Sequence, residues 1–135
     1  MRYLFVGDRR SKLAQRMGVR WEDGHLAAAT LFAALYACGL DPHEQVFRNV
    51  RTDDGQLDYT ELSNIRWWGL PVIALGREAW LVLRRAEIPC TLMVHPAARG
   101  AIRKKENYQA HVREVLESVR SERDGVASGG RGGAR

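Results

Sequence analysis

"GLPVIALGREAWLVLRRA", residues 69–86, holds two elements back to back. The apolar run 69–76 is short and stops at a glycine, as a buried strand does. Residues 77–86 mix charged and apolar positions and predict a short helix that starts directly after Gly76. A strand that runs through one glycine into a helix is the repeating half of a βα architecture.

The same punctuation recurs on both sides. "RYLFVG" (2–7), "QVFRNV" (45–50) and "CTLMVH" (90–95) predict three more strands. Between them lie helical segments. "SKLAQRMG" (11–18) is short and basic. "WEDGHLAAATLFAALYACGL" (21–40) predicts one long helix with Asp23 as N-cap and Gly39 at its end. It is apolar on most faces, which predicts burial between layers. "TELSNIRWW" (60–68) predicts a short helix capped by Thr60. A last helix begins near Ala101. There Tyr108, Val112, Val115, Leu116 and Val119 form an apolar stripe at helical spacing. Strand and helix alternate about four times with no internal repeat. The predicted fold is α/β: a three-layer αβα sandwich around a central, mostly parallel four-stranded sheet.

The 135 residues predict one domain over 1–120 and a tail, "SERDGVASGGRGGAR" (121–135), with too little to bury to be ordered. Lys and Arg number 21 against 16 Asp and Glu, a formal net charge of +5. A basic domain suits a polyanionic partner, nucleic acid first. The two cysteines, Cys38 and Cys90, lie in separate apolar segments and read as free thiols in a reducing compartment. They are too few for a cysteine-held metal cluster. The four histidines, at 25, 43, 95 and 111, show no metal-ligand spacing, so neither metal nor cofactor is expected. No signal peptide or apolar span is evident, and the expectation is a cytoplasmic monomer away from membranes. The chain lacks the phosphate-binding G-x-x-x-x-G-K-[ST] and G-x-G-x-x-G patterns, and neither Ser11 nor Ser63 sits in a nucleophile elbow.

In parallel α/β sheets ligands bind beyond the carboxyl ends of the strands. The residues there are Gly7-Asp8-Arg9-Arg10, Asn49, Gly76-Arg77 and His95-Pro96-Ala97-Ala98-Arg99. Taken singly each has a plain structural role. Asp8 could cap the next helix, Asn49 could satisfy its own turn, His95 could reach solvent, and the arginines could be surface charge. Taken together they bring a carboxylate, an amide, an imidazole and several arginines to one end of the sheet. The amide can read the edge of a base. The imidazole can donate to an oxygen gaining charge. The carboxylate can orient a water, and the arginines suit phosphates. Trp67 and Trp68 read as core and rim packing, or as a stacking platform for unpaired bases.

The order of these pieces resembles the uracil-DNA glycosylase superfamily. It is carried by "LFVGD" (4–8), Trp21, "LFAALYACGL" (31–40), "VFRN" (46–49), "LPVIALGREA" (70–79) and "VHPAARG" (94–100), over roughly residues 2–120. The resemblance implies a minimal, cluster-free DNA glycosylase that hydrolyses the N-glycosidic bond of a flipped-out uracil or related pyrimidine and releases the free base. Asp8 would then position water or stabilise the sugar cation, and His95 would support the departing base. Gly7, Trp21 and Asn49 would hold that base, with Trp21 stacking and Asn49 bonding its polar edge. Arg9, Arg10, Arg77, Pro96, Ala97, Arg99, Arg103 and Lys104 would face DNA. The chain departs from the family at Arg9 and Arg10, where a proline usually stands, and at Ala97, where a small polar residue often follows His-Pro. Two other functions fit the residues: an inactive relative that binds DNA or a nucleobase, and a nucleoside- or nucleotide-processing α/β protein.

Overall fold

A computed structural model describes residues 1–129, with side chains described as far as residue 123. It is an α/β sandwich. The strands are β1 (Leu4–Gly7), β2 (Val46–Asn49), β3 (Val72–Leu75) and β4 (Thr91–Met93). All three pairings are parallel, and the sheet order is β2-β1-β3-β4. The helices are α1 (Lys12–Met17), α2 (Ala27–Ala37), α3 (Tyr59–Trp67), α4 (Arg77–Arg85) and α5 (Lys105–Gly129).

Alternation along β1 divides the core. Tyr3 and Phe5 join α2 and α5 on one face, in a cluster with Phe47, Ile73, Leu75 and Met93. Leu4 and Val6 join α3 and α4 on the other, with Val46, Val72 and Ala74. Successive strand side chains point to opposite faces. A strand covered on both faces must therefore be apolar throughout, which is why the strands read as continuous apolar runs. Each large side chain so buried contributes about 1.5–3 kcal/mol.

Several elements end differently from the sequence expectation. The long helix expected within 21–40, with Asp23 as its N-cap, starts later than that. Trp21–Asp23 forms a separate single turn, Gly24 turns the chain at φ 70°, and α2 starts only at Ala27. Asp23 caps that first turn, accepting the Arg20 N–H at 2.8 Å, and not α2. Nor is α2 buried all round. Ala28, Leu31, Phe32, Ala34 and Leu35 face the core, while Ala29, Ala33 and Ala37 are exposed. Alanine is a strong helix former whichever way it faces, so apolar count overstated burial. The cap of α3 is Asp58, which accepts the Glu61 N–H at 3.1 Å; Thr60 lies inside the helix.

Trp67 is 80% exposed and Trp68 lies at the rim under the Arg48 guanidinium, 4.9 Å from its ring. Core packing therefore does not describe Trp67. The stripe on α5 faces inward as spaced, with Tyr108, Val112, Leu116 and Val119 buried and Val115 packed against them. The helix continues past Ser121 to Gly129, where an unstructured tail was expected; residues 130–135 of that tail lie outside the described residues. A docked helix propagates by one hydrogen bond per added residue, so its end need not bury anything. No helix among the described residues is long and apolar enough to cross a membrane.

Candidate functional site

Because every strand is parallel, all four carboxyl ends emerge on one side. Gly7 pairs in register with Asn49, which sets the ends of β1 and β2 side by side. β3 ends at Leu75, and Gly76 N–H donates to Met93 C=O at 2.8 Å, tying the ends of β3 and β4. His95 follows two residues later.

Trp21 sits at the centre of this end. Its ring stacks on Phe47, with centroids 6.3 Å apart and planes at 19°, and lies 6.1 Å from the His95 ring. Its indole N–H donates to Asn49 Oδ1 at 3.0 Å. The fit needs Gly7: a Cβ there would stand 2.7 Å from Asn49 Oδ1 and 3.1 Å from the indole. Since an indole nitrogen only donates, the Asn49 amide orientation is set, with Oδ1 toward Trp21 and the Nδ2 donors left over.

His95 is held just as closely. Its Nδ1 accepts the Ala97 N–H at 3.0 Å. Gly76, at φ 95°, passes so near that a Cβ would lie 3.2 Å from the His95 Cβ. Burial pushes the imidazole below its ordinary pKa of 6.5, so the ring is neutral at neutral pH. With Nδ1 engaged as an acceptor, the proton resides on Nε2. The ring thus offers one N–H donor without carrying a charge.

Trp21, His95 and Ala97 line a cleft of about 390 Å³ with Leu26, Arg9 and Arg20. Leu26 holds φ 57°, a left-handed conformation unusual for a leucine, and its side chain is exposed at the cleft. A second cleft of about 370 Å³ adjoins it, lined by Arg9, Lys12, Gln15, Arg16 and Asp53.

Not every expected residue faces the main cleft. Asn49 stands behind Trp21 and does not line it. The Asp8 carboxylate also lies outside the lining and accepts from Arg51 Nε at 3.0 Å. Arg10 does line the cleft, but its guanidinium is committed to Asp53 and to the Val19 carbonyl. Pro96 is buried, so it presents no surface to a duplex. Arg77 lies over the Trp80 ring at 5.9 Å and is exposed, as are Arg9, Arg99, Arg103 and Lys104.

The sequence reading missed Arg51, Lys12, Arg16 and Leu26. Arg51 could have been found as the first residue after β2 able to reach back across the Gly7–Asn49 pair. Leu26 had no signal, since the break before α2 was not foreseen.

The arrangement can bind a flat polar ring beside an uncharged imidazole donor, with cations at the entrance. Comparison with protein-family models and with curated proteins yields no match to this chain.

Proposed function

We propose that this chain is a DNA glycosylase-like protein of the uracil-DNA glycosylase superfamily, hydrolysing the N-glycosidic bond of uracil or a related modified pyrimidine extruded from DNA. The observation that carries the reading is the neutral His95 imidazole at the cleft, its Nδ1 occupied by the Ala97 N–H and its proton left on Nε2. Such a donor meets charge that appears only as the bond breaks, where stabilisation accelerates the reaction most.

In this mechanism the bond between C1′ and the base nitrogen breaks first. Its electron pair leaves with the base, whose oxygen is met by His95, and the sugar becomes cation-like. Water then adds to C1′ and gives up a proton to solvent. Asp8 is paired with Arg51 outside the cleft lining, so it supplies negative charge on the sugar side only once that pair opens on DNA. Asn49 lies outside the cleft lining, so its Nδ2 meets a carbonyl of the base only when the base passes the edge of Trp21 toward the end of β2. The cleft volume falls within the range of about 300–1,000 Å³ usual for small-ligand sites. Extruding the base costs a few kcal/mol of unstacking, which the cations Arg9, Lys12 and Arg16 repay through phosphate contacts.

Duplexes with and without uracil, treated with alkali after incubation, test this. Strand cleavage should appear at uracil and fall by about 10²–10³ in His95→Ala, the usual loss for one such donor. Asp8 lies outside the cleft lining and is paired with Arg51, which favours a second reading, a relative that binds DNA or a nucleobase without hydrolysis. Salt-sensitive duplex binding with no cleavage at any modified base would select it.

A further inference from the structure

Val94 directly follows β4, the edge strand of the sheet, and precedes His95. An edge strand leaves alternate N–H and C=O groups without a ladder partner. At Val94 both are met by α5. The Val94 N–H donates to His111 Nε2 at 2.9 Å, and the Val94 C=O accepts from the Tyr108 hydroxyl at 2.9 Å. Tyr108 and His111 are three apart, so they share one helix face, and their rings lie 6.2 Å from one another.

We propose that Tyr108 and His111 are positioning residues for His95, acting through the Val94 N–H and C=O that they hold from one face of α5. The inference rests on the reading of His95 as the donor to the departing base. The two bonds hold the peptide units on either side of the Val94 Cα, and neither unit can rotate without breaking its own bond. On the far side, buried Pro96 and the Ala97 N–H close the same short segment. The imidazole is therefore located by a helix on one face of the sheet as well as by its own strand. Tyr108 is buried and burial keeps its phenol protonated, so it acts as the donor. Burial likewise keeps His111 neutral, leaving Nε2 free to accept.

The test uses the full chain in three variants. His111→Gln keeps an acceptor on a side chain of similar reach, His111→Leu removes it, and Tyr108→Phe removes only the hydroxyl. The first readout is nitrogen NMR of the His95 ring and the Ala97 amide, below the melting temperature of each variant. Tyr108→Phe and His111→Leu should shift the Ala97 amide and blur the single Nε2-protonated tautomer, while His111→Gln retains both. The second readout is uracil excision: kcat should fall about tenfold to a hundredfold in the first two, the scale of a small misplacement, with KM little changed and with recovery in His111→Gln. An unchanged His95 ring and Ala97 amide in folded Tyr108→Phe would overturn the proposal. If His111→Leu does not fold, the contrast between Tyr108→Phe and His111→Gln decides. Absence of excision in the unmodified chain would count against the glycosylase reading alone, because the NMR arm reports the two Val94 bonds by itself.

Discussion

The indole N–H of Trp21 donates to Asn49 Oδ1 at 3.0 Å, so one aromatic side chain decides which end of the neighbouring amide is free. The Trp21 ring also stacks on Phe47. Trp21→Phe keeps the stacking and deletes the bond. The expected stability loss is about 0.5–1.5 kcal/mol, that of one hydrogen bond. The larger effect is on selectivity. Without the indole the amide can turn, and a base with an amino group at its edge gains the acceptor that Trp21 had occupied. Preference for uracil over cytosine should fall about tenfold, or about 1.4 kcal/mol, measured by excision from matched duplexes or by affinity for the free bases. Unaltered preference in a folded variant would show that Trp21 does not orient the amide.

Gly7 tests the same contact from behind. A methyl group there would stand 2.7 Å from Asn49 Oδ1 and 3.1 Å from the indole. The backbone at Gly7 is ordinary strand, so Gly7→Ala adds crowding and no conformational strain. The Asn49 amide is the movable neighbour and should swing away, breaking its bond to Trp21. The expected cost is about 1–3 kcal/mol for overpacking, with the relaxed base preference of Trp21→Phe. A denaturant titration and the uracil–cytosine comparison on one preparation check both. Unchanged stability and unchanged preference would place Asn49 farther from Gly7 than 2.7 Å requires.

The sheet was legible because burial on both faces makes a strand apolar throughout, and "LFVG" and "VIAL" could hardly be anything else. Its parallel pairing brought the four strand ends together, and His95, Trp21 and Asn49 met there by topology. Side-chain commitments were not legible. Asp8 could pair with any arginine nearby, and the choice of Arg51 follows only once β1 is known to pair with β2, which sets the Arg51 N–H on the Asp8 C=O at 2.9 Å. Arg10 has the same composition signal as Arg9, yet it is tied to Asp53 while Arg9 has no ion pair among the described residues. His111 carried no pattern of its own, since its role is to serve a backbone group on another element. Trp67 misled because large aromatics are usually buried, and helix α3 turns this one outward.

Arg9, Lys12 and Arg16 surround the second cleft and form no ion pair among the described residues. Unpaired cations beside the main cleft should carry phosphate contacts, each releasing counterions on binding. Affinity for a duplex should then fall with salt, and each Arg9→Ala, Lys12→Ala or Arg16→Ala should lower the log–log salt slope by about 1. Arg10→Ala, whose guanidinium already serves Asp53, should leave the slope nearly unchanged. Fluorescence anisotropy over a salt series measures this. Equal effects at Arg10 and Arg9 would mean that the Asp53 pair opens on DNA.

Two histidines should govern stability in mildly acidic solution. Burial lowers the folded-state pKa of both His95 and His111 below 6.5, with Glu114 partly opposing the shift at His111. As pH falls below about 6.5 the unfolded chain takes up protons that the folded chain still refuses. Stability is therefore at its plateau above that pH and declines as pH drops through the two lowered values. Protonation would also remove the lone pairs that accept the Ala97 and Val94 N–H groups. The carboxylates act lower down. Asp53, held below its usual 3.8 by the Arg10 bond, loses that contribution only as pH falls past 3.8. Melting temperatures from pH 7.5 to 5 should fall for the unmodified chain, and His111→Gln, which keeps an acceptor but does not titrate, should flatten part of the decline. A melting temperature constant to pH 5 would mean that the two imidazoles are charged in the folded protein as readily as in the unfolded chain.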